Sequence, residues 1–307
     1  MKKLRNKDLI SINYLTPEEV NLILNEAEML KKGPRNTEYL KGKTLAMIFE
    51  KSSTRTRVSF QVGMYQLGGY AMFFSSQDLQ IGRGETIHDT AKVLSRYVDG
   101  IMARTFKYQT ILDLAKYATV PVINGLTDFD HPCQALSDLF TIYEKLGNLK
   151  GLTLSYIGDG NNVLHSLIQA CVRVGMNINY ASPVGYKPSD LVVKESLEVA
   201  KSTGSKVTEY NDAVSAIKDA DVIYTDVWVS MGQEEEKEKR KKDLLAFQLN
   251  SDLMKKAKSN VLVMHCLPAH RGEEITDDVI DGPNSIVFDQ AENRMHTQKA
   301  ILKLLMS

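Results

Sequence analysis

The sequence has no surplus of charge of either sign. Lys plus Arg and Asp plus Glu both number 38, so the formal net charge over 307 residues is zero. A global field for nucleic acid or an acidic membrane is therefore excluded, and any anion site must be local. Apolar runs approaching the ~20 residues of a membrane span are also lacking. The start, Met1-Lys2-Lys3-Leu4-Arg5-Asn6-Lys7, is basic but has no apolar signal core behind it. Cysteine is scarce: Cys133, Cys171 and Cys266 form an odd set without metal-ligand spacing. The expectation is a cytoplasmic chain with reduced thiols and no metal. Short-period repeats and Gly/Ser-rich or Pro-rich linkers are lacking too, so any connection between domains should be helical.

What is present is alternation. Thr16-Pro17-Glu18-Glu19 reads as a helix start with a capping box, and Val20, Ile23, Leu24, Ala27 and Leu30 follow at helical spacing. From Thr44 onward, short apolar runs alternate with helical patterns. The spacing predicts strands at 44–49, 70–74, 100–103, 121–123, 152–157, 177–181, 206–209, 221–225, 261–264 and 285–288. Such alternation argues α/β architecture with parallel sheets. Ten strands are better divided into two sheets of four or five. The expected fold is two doubly wound parallel-sheet domains joined by helices. The first spans residues 1–146 and the second 147–289, and a last helix over 290–307 packs back on the first.

Polar clusters stand just after six of these runs. Ser53–Arg57 follows the first, Arg104 ends "GIMAR", and "DHPCQ" (130–134) follows "VPVINGL". "GDGNN" (158–162) follows "LTLSYI", Asp226 follows "DVIYT", and His265-Cys266-Leu267-Pro268 follows "VLVM". In open α/β sheets, ligands bind outside the carboxyl ends of the strands.

The chemistry of each cluster narrows the ligand. A helix start offers free N–H groups, hydroxyls add donors, and guanidinium grips phosphate in a fork. "SSTRTR" therefore reads as a phosphate site, with Arg104 and His131 at neighbouring strand ends. The Walker pattern is missing, which disfavours a nucleoside triphosphate. His131 and Gln134 stand one helical turn apart; the first suits a carbonyl oxygen and the second an amide-like group. "GDGNN" does not complete Gly-x-Gly-x-x-Gly, because position 163 is Val163, so no dinucleotide cofactor is expected. Asn162 suits a small carboxylate. Asp226, with Ser230-Met231-Gly232 behind it, suits an amine. The charged run 234–243 reads as a solvated face or as a flap over the site.

Together "SSTRTR", "HPCQ", "DVWVSMG" and "HCLPAHRG" resemble the aspartate/ornithine carbamoyltransferase family, over essentially the whole chain and in motif order. Asp226, Ser230, Met231 and Gly232 with "HCLP" resemble its ornithine branch. The resemblance implies that residues 1–146 bind carbamoyl phosphate and 147–289 bind ornithine. It implies transfer of the carbamoyl group to the δ-amine of L-ornithine, giving citrulline and phosphate. For carbamoyl phosphate it implies Ser53, Thr54, Arg55, Thr56, Gln80, Arg104, His131, Pro132, Cys133, Gln134, Cys266, Leu267 and Arg294. For ornithine it implies Asn162, Asp226, Ser230 and Met231. Arg55, Arg104, His131, Asp226 and Cys266 would be the catalytic set, with Asp226 and Cys266 both candidates for handling the amine proton. No cofactor is implied, and the family is a homotrimer or a multiple of one. Transfer to putrescine or N-acetylornithine, or a non-catalytic carbamoyl phosphate-binding regulator, are the alternatives.

Overall fold

The computed structural model describes residues 4–80, 84–229 and 234–307. The chain forms two compact units: Met1–Phe140 with Glu292–Ser307, and Thr141–Ala291. Both chain crossings fall inside helices, Pro132–Leu146 and Val287–Met306.

The first unit holds four parallel strands: β1 (Thr44–Phe49), β2 (Tyr70–Ser75), β3 (Gly100–Arg104) and β4 (Val122–Leu126). Their order is β2-β1-β3-β4. Ala46, Ile48, Ile101, Ala103 and Val122 bury one apolar cluster with Ala91, Ile111 and Leu114 from the helices. The strand order reverses between β1 and β3, so the chain leaves β1 toward one side and β3 toward the other. The last helix belongs to this unit from Glu292 onward. Lys299 Nζ donates to Gln66 Oε1 at 3.0 Å, and a Cβ at Gly63 would come 3.3 Å from Lys299. At the N-terminal end, the Thr16–Glu19 capping box closes in both directions and opens Pro17–Lys32.

The second unit holds five parallel strands: β5 (Thr153–Ile157), β6 (Asn177–Ala181), β7 (Val207–Tyr210), β8 (Val222–Thr225) and β9 (Leu262–His265). Their order is β7-β6-β5-β8-β9, with the switch between β5 and β8. Ile157, Ala181, Ile223 and Val263 share a core with Ile217, Leu249, Ile275 and Val287.

The sequence expectation of a strand at 285–288 is corrected. Only Ser285 bridges to Val263, and the chain enters the helix Val287–Met306 two residues later. The apolar run is real, with Ile286 and Val287 buried, but it fills a core rather than extending a ladder. Short buried runs do not distinguish strand from helix by periodicity. Among the described residues, no helix is long and apolar enough to cross a membrane.

Candidate active site

In the first unit, three of the six clusters stand where the topology puts them, at the carboxyl ends of β1, β3 and β4. Ser53 is extended and caps the helix Thr54–Gln66, accepting from Thr56 N at 3.3 Å. Ser53 Oγ also donates to Thr56 Oγ1 at 3.1 Å. Thr54 is exposed and Arg55 half-buried at the helix start, where free N–H groups favour an anion. The second arginine of the motif has a different use: the Arg57 guanidinium lies 3.7 Å from the Phe73 ring centroid and its Nε donates to Gln61.

Arg104 ends β3 opposite Phe49 in register, and is buried. His131 precedes the helix Pro132–Leu146 and is also buried. Burial first, then the nearby Arg294 and Arg104 cations, hold the His131 imidazole well below its ordinary pKa. At neutral pH it is therefore uncharged, with one N–H to donate. Arg294 reaches the same helix starts from the C-terminal helix. Its Nη1 donates to Gln134 Oε1 at 2.5 Å and its Nη2 to Thr56 Oγ1 at 3.3 Å. Gln134 Nε2 donates to Asp138 Oδ1 at 2.8 Å. Cys133 turns away, its thiol donating to the Asn124 carbonyl at 3.3 Å, and burial pushes its pKa up to about 12. Gln80 is exposed, and its carbonyl accepts from Glu85 N.

In the second unit, the ends of β5, β8 and β9 assemble a group of opposite character. Gly158 turns the chain at φ +124°, a conformation that favours glycine. A side chain at Gly160 would place Cβ 2.3 Å from Pro188 N. Asn161 then caps the helix Asn162–Arg173, its Oδ1 accepting from Val163 N and Leu164 N. The Asn161 amide donates to Asp226 Oδ2 at 2.7 Å, and the other oxygen of Asp226 accepts from Cys266 Sγ at 3.0 Å. Asn162, the predicted ligand, is the first helical residue beside it and is half-buried. Sequence reasoning missed Asn161. The signal was there: Asn is a favoured N-cap, and the cap precedes the first helical residue.

The "HCLP" segment is held from beneath. Leu267 N donates to His265 Nδ1 at 2.9 Å, so the imidazole proton sits on Nε2, which donates to buried Glu274 at 3.0 Å. His265 N donates to Gln290 Oε1. Leu267 stands at φ +57° and is followed by a cis bond to Pro268. Cys266 and Leu267 belong to the second unit, whereas the other residues expected around carbamoyl phosphate belong to the first. Ser230 and Met231 lie outside the described residues, whereas the charged run 234–243 lies within them, with Lys237–Leu244 helical.

Ligand atoms of Asp226, His265 and Cys266 lie within 4.8 Å of one another. Both ring nitrogens of His265 are already engaged, however, so this is a poor cation cage. A cavity of about 270 Å³ in the second unit is lined by Ser251, Lys258, Asp278 and Asn284, and includes none of the predicted site residues.

Comparison with known proteins agrees across both units. The profile for the aspartate/ornithine carbamoyltransferase carbamoyl-P binding domain matches residues 7–144, and that for the Asp/Orn binding domain matches 150–305. The chain is 58% identical over 306 residues to an ornithine carbamoyltransferase of Thermococcus kodakarensis, covering 99% of this chain and 97% of that protein. It is 57% identical to an anabolic ornithine carbamoyltransferase of Pyrococcus furiosus, covering 99% and 97%. A solved ornithine carbamoyltransferase from Pyrococcus furiosus superposes with a TM-score of 0.96 at 56% identity, covering 100% of this chain and 99% of that one.

Proposed function

The chain belongs to the aspartate/ornithine carbamoyltransferase family, and from that premise we propose how its residues act. It is an enzyme that transfers the carbamoyl group of carbamoyl phosphate to the δ-amine of L-ornithine, giving L-citrulline and phosphate. The first unit binds the donor and the second the acceptor. Citrulline formation toward arginine is the working direction, in a cytoplasmic homotrimer or a multiple of one. Solution mass measurement tests the assembly.

One observation carries the choice of acceptor: buried Asp226 is held by Asn161 on one oxygen and by Cys266 on the other. A carboxylate suits the α-ammonium of an amino acid and repels the dicarboxylate of aspartate. Asn162, with Ser230 and Met231, takes the α-carboxylate.

On the donor side, the start of the helix Thr54–Gln66 binds the phosphate through Ser53, Thr54, Arg55 and Thr56. Arg104, neutral His131 and Gln134 hold the carbamoyl group, with Arg294 fixing Gln134 and Thr56. As the amine adds to the carbonyl carbon, charge develops on the carbonyl oxygen, where Arg55, Arg104 and His131 stabilise it. Phosphate then leaves into the helix start. No enzyme nucleophile is required. Orienting two small molecules is worth up to ~7–11 kcal/mol of the barrier. The attacking amine has an ordinary pKa of ~10.4 and must shed a proton first. The Cys266–Asp226 pair is the group that handles it.

The test is product formation with L-ornithine, putrescine, N-acetylornithine and aspartate at matched carbamoyl phosphate. Putrescine leaves the carboxylate donors unpaired, at ~1–3 kcal/mol for each buried group. N-acetylornithine leaves Asp226 without its ammonium. L-ornithine should therefore lead strongly in kcat/KM. Equal turnover of putrescine would overturn the acceptor assignment and leave carbamoyl transfer standing.

A further inference from the structure

Arg240 lies in the most charged stretch of the chain, residues 234–243, yet it is only 8% exposed, while Lys237, Glu238 and Lys239 before it are exposed. Arginine is rarely buried unless paired. Here Nη1 donates to Asp159 Oδ2 and to the Trp228 carbonyl, each at 3.0 Å, and Nε donates to Glu236 Oε2 at 3.1 Å. The guanidinium also lies 5.0 Å from the Tyr186 ring centroid. All of these groups belong to the second unit.

The contacts converge on the glycine turn after β5. Asp159 is itself buried, and its carbonyl accepts from Tyr156 Oη and Asn161 N, both at 2.8 Å. Gly160 N donates to the Tyr186 carbonyl at 2.7 Å. The turn is thus gripped twice: by Arg240 through the Asp159 side chain, and by Tyr186, on whose ring Arg240 rests. The next residue, Asn161, holds Asp226 at 2.7 Å, and Asp226 receives the Cys266 thiol. Trp228, whose carbonyl Arg240 also binds, is two residues beyond Asp226. Arg240 therefore holds both segments that the Asn161–Asp226 hydrogen bond joins.

We propose that Arg240 is a positioning residue for the ornithine half of the reaction, acting through Asp159 and the Trp228 carbonyl to fix Asn161 and Asp226. A buried ion pair adds little net stability, because desolvating both charges offsets their attraction. What this pair supplies is one geometry for the turn. A planar fork can serve Asp159, Trp228 and Glu236 together; a lysine ammonium is a point charge on a flexible stem. The proposal rests on the carbamoyl-transfer reading above.

The experiment is steady-state kinetics of wild type, Arg240→Ala, Arg240→Lys, Asp159→Asn and the Arg240→Ala/Asp159→Asn double variant. Each substrate is varied in turn, with circular dichroism and thermal melts alongside. The expected result is an ornithine KM raised at least tenfold in Arg240→Ala, with the carbamoyl phosphate KM within twofold of wild type and kcat changed less than the ornithine KM. Arg240→Lys should fall between Arg240→Ala and wild type. The double variant should be no worse than Arg240→Ala, because both substitutions break one unit. A folded Arg240→Ala whose ornithine KM stays within twofold, or whose two KM values rise together, overturns the proposal. If Arg240→Ala does not fold, Arg240→Lys and Asp159→Asn decide, with a threefold selective rise in ornithine KM expected and no selective rise overturning it. A wild-type protein inert toward ornithine would remove the underlying reading, and this proposal with it. An active wild type with an indifferent Arg240 removes the positioning role alone.

Discussion

The first unit meets its proposed ligand with cations and hydroxyls: Ser53, Thr54, Arg55, Thr56, Arg104, His131 and Arg294. The second uses Asp226, Cys266 and two neighbouring asparagines. Yet both groups stand at the same kind of place, where the strand order reverses in a parallel sheet, between β1 and β3 and between β5 and β8. The topology supplies backbone N–H groups and a crevice in each case. On the proposed reading, the side chains at the strand ends decide whether an anion or an amine is drawn there. The two units also differ in how they keep their groups uncharged or charged. His131 is kept neutral by burial among arginines, whereas Asp159 must lose a proton to pair with Arg240.

Removing the cation from the start of the helix Thr54–Gln66 should have the largest effect. Arg55→Ala should cost on the order of 2–5 kcal/mol in kcat/KM for carbamoyl phosphate, the range for a desolvated charged contact. Arg55→Lys should restore little of it, since the phosphate fork is gone. Arg57→Ala is the control, because its guanidinium stacks on Phe73; it should change donor kinetics less than threefold. Near-normal donor affinity in Arg55→Ala would show that the phosphate binds elsewhere. In the second unit, Asp226→Asn should lower kcat/KM for ornithine by roughly a hundredfold, in line with ~1.5–3 kcal/mol for a charged hydrogen bond, and should narrow the preference for ornithine over N-acetylornithine. A variant as selective as wild type would assign the α-ammonium to another group.

A smaller effect concerns the thiols. Cys133 and Cys171 are buried, and only Cys266 is partly accessible. A thiol-directed reagent should inactivate the wild type, bound substrates should slow the reaction, and Cys266→Ala should be insensitive while retaining part of its activity. Mass spectrometry locating the modification on Cys133 or Cys171 at the rate of inactivation would contradict this.

The sheets were legible because most strands are short apolar runs ended by polar residues, and nine of the ten predicted runs are strands. The run at 285–288 misled because burial of Ile286 and Val287 leaves the same trace whether the backbone is a strand or a helix start. The six strand-end clusters were legible for the same reason. Which member of each cluster faces inward was not. Two arginines in "SSTRTR" look alike until Phe73, from the neighbouring strand, takes one of them. Two asparagines in "GDGNN" look alike until the cap position assigns Asn161 to Asp226. Arg240 was hidden best of all, since a charged run reads as solvated and only the fold brings Asp159 and Tyr186 beneath it.

The two units should also respond differently to pH. Burial raises the Asp159 carboxyl from its ordinary value to about 6, despite the opposing pull of Arg240. Asp226 and Glu236 also face it and push the same way. With its folded pKa raised, Asp159 keeps its proton until about pH 6, so the ion pair exists above that pH and is lost below it. The amine of ornithine contributes its own dependence: its neutral fraction falls tenfold per pH unit throughout this range. A plot of log kcat/KM for ornithine against pH should therefore rise with slope near one above about 6 and steepen locally around that pH, where the ion pair is lost. Asp159→Asn should straighten the plot to slope one. Because the pair acts on geometry through Asn161, the extra loss one unit below the break should be at most about tenfold. Carbamoyl phosphate should behave differently. His131 is held neutral well below its ordinary pKa, so kcat/KM for the donor should show no enzyme break near 6.5. A break there that vanishes in His131→Gln would mean that the imidazole titrates in the first unit and is not held neutral by its burial.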